Sequence, residues 1–394
     1  MKLFFVSLFI FTMFLFCPVT IQAIDWEKQA VEDAKQDKIV IAFNKDQMTG
    51  DQVPRILPDG RIALYFMTGG YTEPAPENHI AVVYSNDNGD TWTSGETLNL
   101  GIPRSGNTIG QLPTEALVLG NKITLFFSTH AGHLERSWQS WMATTNDNGK
   151  TWDKPQLLPG RLAAATFIRA HIITRDKRIL LPFQHNIGNL KDPNGDVVAR
   201  NRDNPNAYPT PITNTRNGVL ISKDEGQTWS EHGNIRLPIP ENTHLWAENA
   251  IVEPTKDRIV MLIRPEWWGG TLYKAESSDG GLTWPEVAEK TEIPNPSSKI
   301  SLYLIAENTV ALLHNPNPKH RSPLSLWISF DGMKTWAYKR VVIAESYAGP
   351  KANLNYPEGY VTSDKQWLHF SIDDNRRRAL FVRAKLPPLP KTAE

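Results

Sequence analysis

An octapeptide of the form S-x-D-x-G-x-T-W recurs along the chain, and nothing else in the sequence limits the fold so tightly. It stands as Ser85 to Trp92, Ser222 to Trp229 and Ser277 to Trp284, with Thr145 to Trp152 opening on threonine and Ser329 to Trp336 carrying Met333 in place of glycine. Each copy follows an apolar or alternating run, such as Ile80 to Tyr84 or Leu324 to Ile328, and so marks a strand turning back on itself. In such a turn Asp accepts backbone N–H bonds, from two residues on, and Gly supplies a positive φ. Thr-Trp then opens the next strand with a ring broad enough to pack between sheets. The aspartates are expected to hold turns and to do no chemistry.

Successive tryptophans of the motif lie 60, 77, 55 and 52 residues apart, about the length of one four-stranded sheet with its loops. A first unit begins with Val53 to Gly60 and the strand Arg61 to Met67, and the last spans Tyr356 to Ile372 with a terminal strand, which makes six units. The predicted fold is all-β, a six-bladed propeller with antiparallel four-stranded blades. Lys38 to Phe43 reads as a strand with no neighbour to pair with. In a closed ring it would complete the sheet that ends with Ala379 to Ala384. Asp25 to Asp37 is polar and fits a short helix or arm, and the long polar stretch Leu190 to Asn214 is of a kind usually found lining a site.

Residues 1–23 read as a secretory leader, apolar from Leu3 to Cys17 and closing on Ile21-Gln-Ala23. The stretch is short for a membrane span, and the bulky Phe16 before Cys17 is unlike a lipoprotein cleavage site. A secreted or periplasmic protein is expected, with 24–394 forming a single domain and no membrane association. The only cysteine lies in the leader, so the mature chain has no disulfide and no thiolate metal site. Removing Lys2 leaves 41 basic against 42 acidic residues, a net charge of −1 that gives no reason to expect nucleic acid or anionic lipid as a partner. We expect a monomer that needs no cofactor. The 13 Trp and 10 Tyr serve equally as inter-sheet core or as platforms for sugar rings.

Outside the repeats, Arg55, Glu248, Arg264 and Arg321 fall just inside expected inner strands, and Tyr356 opens the last unit. A bland propeller carries small or apolar side chains there, so charges from different units point to convergence on the axis. With its Asp-box (BNR) repeats, the chain resembles the sialidase superfamily from Val53 to about Phe381. Pro54-Arg55-Ile56 is similar to that family's opening R-I-P motif. Glu248 and Arg264, 16 residues apart, are similar to its Glu and second Arg, Arg321 to its third Arg, and Tyr356 in Asn355-Tyr-Pro-Glu-Gly to its Tyr. The resemblance implies an exo-glycosidase acting on a terminal carboxylate-bearing sugar of an acidic glycan or oligosaccharide. Three guanidiniums would hold the carboxylate, and Tyr356, activated by Glu248, would attack without the repulsion a carboxylate nucleophile would meet. Tyr347 and Tyr360 are close rivals for the nucleophile.

The family's general-acid Asp has no counterpart in the loop before the first repeat, which reads Tyr71-Thr-Glu-Pro-Ala-Pro-Glu77-Asn78-His79. Glu77 or His79 would substitute. The absence opens two alternatives: a lyase or dehydratase eliminating at a terminal uronic acid with Tyr or His as acid and base, and a propeller that binds glycans without catalysis. His79, His130, His133, His185 and His244 are candidates for the elimination chemistry. His130 and His133 are also candidate substrate contacts, their loop spacing being too weak a signal for a metal site. Trp267 and Trp268, directly after Arg264, fit a sugar platform at the mouth of the site, while Arg376-Arg-Arg378 reads as a solvated turn with local ion pairs.

Overall fold

The structure is a computed structural model that describes residues 24–102, 110–130, 139–186, 215–238, 246–266 and 270–390, and the backbone of a small antiparallel pair, Leu190–Lys191 with Val197–Val198. Six antiparallel sheets form the ring. Blade one runs from Thr49–Ile56 through Ile62–Thr68 and His79–Ser85 to Glu96–Thr97, and blade two from Gly110–Leu119 through Lys122–His130 and Gln139–Thr145 to Gln156–Leu157. Blade three joins Thr166–Ile168 and Ile172–Ile173 to Ile179–His185, Arg216–Ser222 and Ser230–Ile235. Blade four joins Asn249–Thr255, Arg258–Ile263, Thr271–Ser277 and Glu289–Pro294. Blade five holds Ser301–Ala306, Thr309–His314, Leu324–Ser329 and Tyr338–Ile343. Blade six holds Leu354–Val361, Trp367–Asp374 and Arg378–Lys385, and its outer strand is Lys38–Asn44.

That outer strand closes the ring where the sequence placed it, pairing Lys38 with Arg383 and Val40 with Phe381. The polar segment before it forms one helix, Trp26–Ala34, capped by the Asp25 side chain accepting from Lys28 N at 3.1 Å. The helix fastens the closing strand to blade five. Trp26 stacks on Phe330 with ring centroids 4.4 Å apart, and Tyr338 Oη donates to Asp33 at 2.9 Å.

Buried apolar side chains gather at the blade junctions. Val53, Tyr65 and Val82 of blade one meet Ala116, Leu125 and Phe127 of blade two, and equivalent clusters fill the other five junctions. The repeat motifs tie five of the six junctions from outside, all but the one between blades five and six. Trp92 of blade one sits edge-on to Phe381 of blade six at 5.1 Å, and Trp152 of blade two meets Tyr65 of blade one at 6.5 Å.

Within each motif the bonding is the same. In the first copy Ser85 Oγ donates to Asp87 and accepts from Gly89 N, both at 2.8 Å, while Asp87 accepts from Thr91 N at 2.8 Å and Thr91 Oγ1 at 2.5 Å. The Asp reaches four residues on, further than the two-residue turn expected from sequence. Met333 adopts φ 72° at the place of the glycine, so the fifth motif closes like the others.

Candidate functional site

Bulges on two neighbouring inner strands decide what faces the axis. The Thr49–Ile56 strand shifts register between Gly50 and Val53, and Asp51 there takes φ 50°. The Leu354–Val361 strand shifts between Asn355 and Glu358, and Tyr356 takes φ 53°. A non-glycine residue in this region costs of the order of 1 kcal/mol or more, and such strain collects where a side chain must be re-aimed. Both side chains are turned into one cavity of about 190 Å³.

Every blade lends residues to this cavity, which places it on the axis. Asp51, Glu73 and Pro74 come from blade one, Leu112 from two, Phe167 and Arg169 from three, Trp246, Glu248, Arg264 and Glu266 from four, Arg321 from five, and Tyr356 and Arg376 from six. Roomier grooves, one of about 510 Å³ lined by Phe126, Met142 and Trp229, lie between blades near the repeat motifs. They recur at other junctions, as between Tyr84 and Trp152, and belong to the architecture.

Glu248 and Arg264 form a buried ion pair through Arg264 Nε, with Arg169 Nη2 3.7 Å from the same carboxylate. Burial alone would raise the Glu248 carboxyl, but the charges of Arg264 and Arg169 outweigh it and hold its pKa down at about 2. One backbone carbonyl aligns two guanidiniums: Ser297 O accepts from Arg264 Nη1 and, at 2.7 Å, from Arg321 Nη2. Ser297 stands at φ 62° in a turn closed by Asn295, which bonds Ser298 N at 2.9 Å and Ser298 O at 3.0 Å. Arg321 Nη1 donates to Asn355 Oδ1 at 2.7 Å.

Tyr356 lies between two guanidiniums, 4.7 Å from Arg376 and 5.6 Å from Arg321 measured to its ring centroid. Burial and the Glu248 charge push its phenol up, while Arg264, Arg376 and Arg321 pull the other way. Its rivals are elsewhere. Tyr347 is exposed beneath Arg378, and Tyr360 packs edge-on to His369.

The cavity thus brings together Tyr356, Glu248, Arg264 and Arg321, and leaves Arg55 out. Arg55 lies four residues beyond the bulge, and its guanidinium is spent on Glu115, Ala116 O at 2.9 Å, Pro54 O at 2.7 Å and Glu358 at 3.4 Å. With Lys299 on Glu358 and His171 on Glu115, it belongs to a buried charge network joining five blades. The third guanidinium beside Tyr356 is instead Arg376. It projects from the last hairpin of blade six at φ 58° and binds Glu73 through Nη1. A Cβ on Gly50 would come within 3.0 Å of that nitrogen, so the glycine clears its path.

The loop before the first repeat presents Glu73, and neither Glu77 nor His79 is among the cavity residues. Buried Asn78 organises it, donating to Gly69 O at 2.6 Å and Thr72 O at 3.1 Å and accepting from Ala75 N at 2.7 Å. Glu77 is exposed on its far limb, and His79 Nδ1 lies 3.1 Å from Glu77 O. His130 is buried away from the cavity, where a Cβ on Gly110 would meet its ring at 2.5 Å. His185 is buried against Arg216, at 3.1 Å. No histidine lines the cavity among the described residues. His133, His244, Trp267, Trp268, the 1–23 leader and most of Leu190 to Asn214 lie outside the described residues.

Asp51, Glu73, Arg169, Glu266 and Arg376 are cavity residues that sequence reasoning missed. Arg169 directly follows the apolar strand Thr166–Ile168 as Arg264 follows Arg258–Ile263, and looking for a charge at the edge of an apolar strand in every unit would have found it. Phe167 and Trp246, edge-on at 5.3 Å, add an apolar wall with Leu112. Among the described residues no cluster of three or more His, Cys, Asp or Glu side chains is arranged to hold a metal ion.

The BNR repeat-like domain family matches residues 106–369, about two thirds of the chain. The chain is a BNR-repeat propeller of the sialidase superfamily. A sialidase of Bacteroides fragilis (strain YCH46) is 26% identical to it over 287 residues, 64% of this chain and 47% of that protein. The BNR propeller thus spans about half the length of this curated relative. Among solved structures, the Hadza microbial sialidase Hz136 superposes with a TM-score of 0.62 at 18% identity, covering 86% of this chain and 66% of that one. A Dyadobacter fermentans protein of unknown function gives 0.64 at 19% identity, covering 89% of this chain and 98% of that one. The K499G mutant of the NanB sialidase from Streptococcus pneumoniae gives 0.63 at 12%, covering 88% and 70%. At these identities the superpositions speak for the fold alone.

Proposed function

We propose that this propeller is a sialidase-like exo-glycosidase that hydrolyses a terminal carboxylate-bearing sugar from a glycan or acidic oligosaccharide. The observation that carries the reading is Tyr356 on its bulge, buried in one cavity with Glu248 and the guanidiniums of Arg264, Arg321 and Arg376. The guanidiniums bind and orient the sugar carboxylate by charge-assisted hydrogen bonds. Tyr356 attacks the anomeric carbon, and Glu248, already ionised, receives the phenolic proton. Arriving substrate shares Arg264 with Glu248, which relieves the depression of the Glu248 pKa and makes it a better base at the moment it is needed. The leader-like sequence of residues 1–23 supports a site of action outside the cytoplasm.

Incubation with sialosides and with uronate-terminated oligosaccharides, following free sugar and ultraviolet absorbance together, tests the reading. Release of free acidic sugar without absorbance is expected. New absorbance without a new reducing end would overturn hydrolysis in favour of elimination, and binding without either product would leave a glycan-binding propeller.

A further inference from the structure

Hydrolysis through Tyr356 needs a proton for the departing glycosidic oxygen, and blade one turns two carboxyls into the cavity, Asp51 and Glu73. They are not equivalent. Arg376 Nη1 is in direct contact with Glu73 Oε2 and stands 4.0 Å from Asp51 Oδ2. Asp51 is buried, and its Oδ2 has no hydrogen-bond partner among the described residues. A buried carboxylate oxygen that accepts no hydrogen bond is costly as an anion, whereas a protonated carboxyl there carries no charge and has a hydrogen to donate.

We propose that Asp51 is the general acid of the reaction, holding the one proton of its pair with Glu73 because Arg376 binds Glu73 directly. The proposal rests on the hydrolase reading above. Two carboxyls in one site do not both ionise readily, and the one nearer a guanidinium gives up its proton first. Burial and then the Glu73 charge push Asp51 up to about 7, against the opposing pull of Arg376, Arg169 and Lys299. Asp373, bonded to the Arg376 backbone amide at 3.1 Å, is the remaining acid facing this group. Glu266 also lines the cavity and is the competing candidate: burial pushes its carboxyl up, while the charges of Arg264 and Arg321 pull the other way.

As the bond from the anomeric carbon to the glycosidic oxygen breaks, Asp51 gives its proton to that oxygen. Tyr356 Oη bonds the anomeric carbon, and the phenolic proton passes to Glu248. In the second half, water attacks the anomeric carbon and Asp51, now a carboxylate, takes the water proton. The Tyr356 oxygen leaves with the proton held by Glu248.

Leaving-group kinetics test this directly. Asp51→Asn should lose roughly 10²- to 10⁴-fold on a sialyl-sugar, whose alkoxide needs a proton, and less than about tenfold on a nitrophenyl sialoside, whose leaving group does not. Glu73→Gln should keep the acid but move the basic limb of the kcat/KM profile to lower pH, since the charge that raises Asp51 is gone. Equal losses on the two substrates, or leaving-group dependence appearing in Glu266→Gln instead, would overturn the assignment. Carbon-13 NMR of Asp-labelled parent protein gives a readout independent of turnover: one Asp51-dependent carboxyl should titrate near neutrality and shift down in Glu73→Gln. A resonance that titrates only in the ordinary Asp range would overturn the proton's place on Asp51. A parent protein that hydrolyses neither sialoside defeats the hydrolase reading and the donor role with it, while the titration still decides whether the pair holds a proton.

Discussion

Arg321 bonds only neutral oxygens among the described residues, Asn355 Oδ1 and Ser297 O, whereas Arg264 is locked to the buried Glu248. The two therefore test the carboxylate clamp differently. Arg264→Ala leaves the buried Glu248 with Arg169 as its remaining cation and should cost up to about 3–5 kcal/mol of stability on its own, which obscures any effect on substrate. Arg321→Ala should leave the thermal midpoint nearly unchanged and lower kcat/KM on an anionic sugar by roughly 10- to 150-fold, the loss of about 1.5–3 kcal/mol of charge-assisted bonding. A loss below tenfold would contradict the clamp. At this scale the sequence was readable where a charge borders an apolar strand, as at Glu248 and Arg264. It was not readable where a bulge re-aims the chain. Nothing in Thr-Gly-Asp-Gln-Val marks Asp51 as the cavity residue and Arg55 as part of the charge network beneath. Arg376, in a run of acids and arginines, has the composition of a solvated turn, and its path past Gly50 is set by chain folding more than 300 residues away.

The repeat motifs were legible because their bonds span only two to four residues, so the sequence holds both partners in one window. Their buried serine is the weak point. Ser277 Oγ accepts from Gly281 N at 2.9 Å and donates to Asp279 at 2.7 Å. Ser277→Ala leaves that amide without its acceptor and should cost about 1–3 kcal/mol in denaturant unfolding, with kcat/KM unchanged. A large loss of activity at unchanged stability would mean that the motif does more than hold its turn. Hydrogen bonds to Thr151 and Thr228 hold the carboxylates of Asp147 and Asp224 at about 2, as the Thr91 bonds do for Asp87. Because these values lie below the ordinary Asp value, the stability they confer is fully present above about pH 4 and is lost as pH falls toward 2.

Ring closure joins the terminal segments to the chemistry. Lys38–Asn44 completes the blade that carries Tyr356 and Arg376, and the helix before it is pinned to blade five through Trp26 and Asp33. Removing residues up to Asn44 exposes the edge of Arg378–Lys385 and should abolish cooperative unfolding and activity together. A shortened chain that unfolds in one sharp transition at the original midpoint would show that closure contributes nothing. This pairing could be foreseen because a lone first strand and an unpartnered last one leave a ring little choice. The convergence of side chains from six blades on one cavity depends on blade tilt and strand register, which sequence patterning does not carry.

Covalent trapping of Tyr356 tests the central claim most directly. A 3-fluoro sialosyl fluoride slows release of a glycosyl-enzyme more than its formation, so treated protein should carry one sugar on the peptide containing Tyr356. Tyr356→Phe should carry none. Turnover of sialosides with no adduct on that peptide, or an adduct on another residue, would contradict the account.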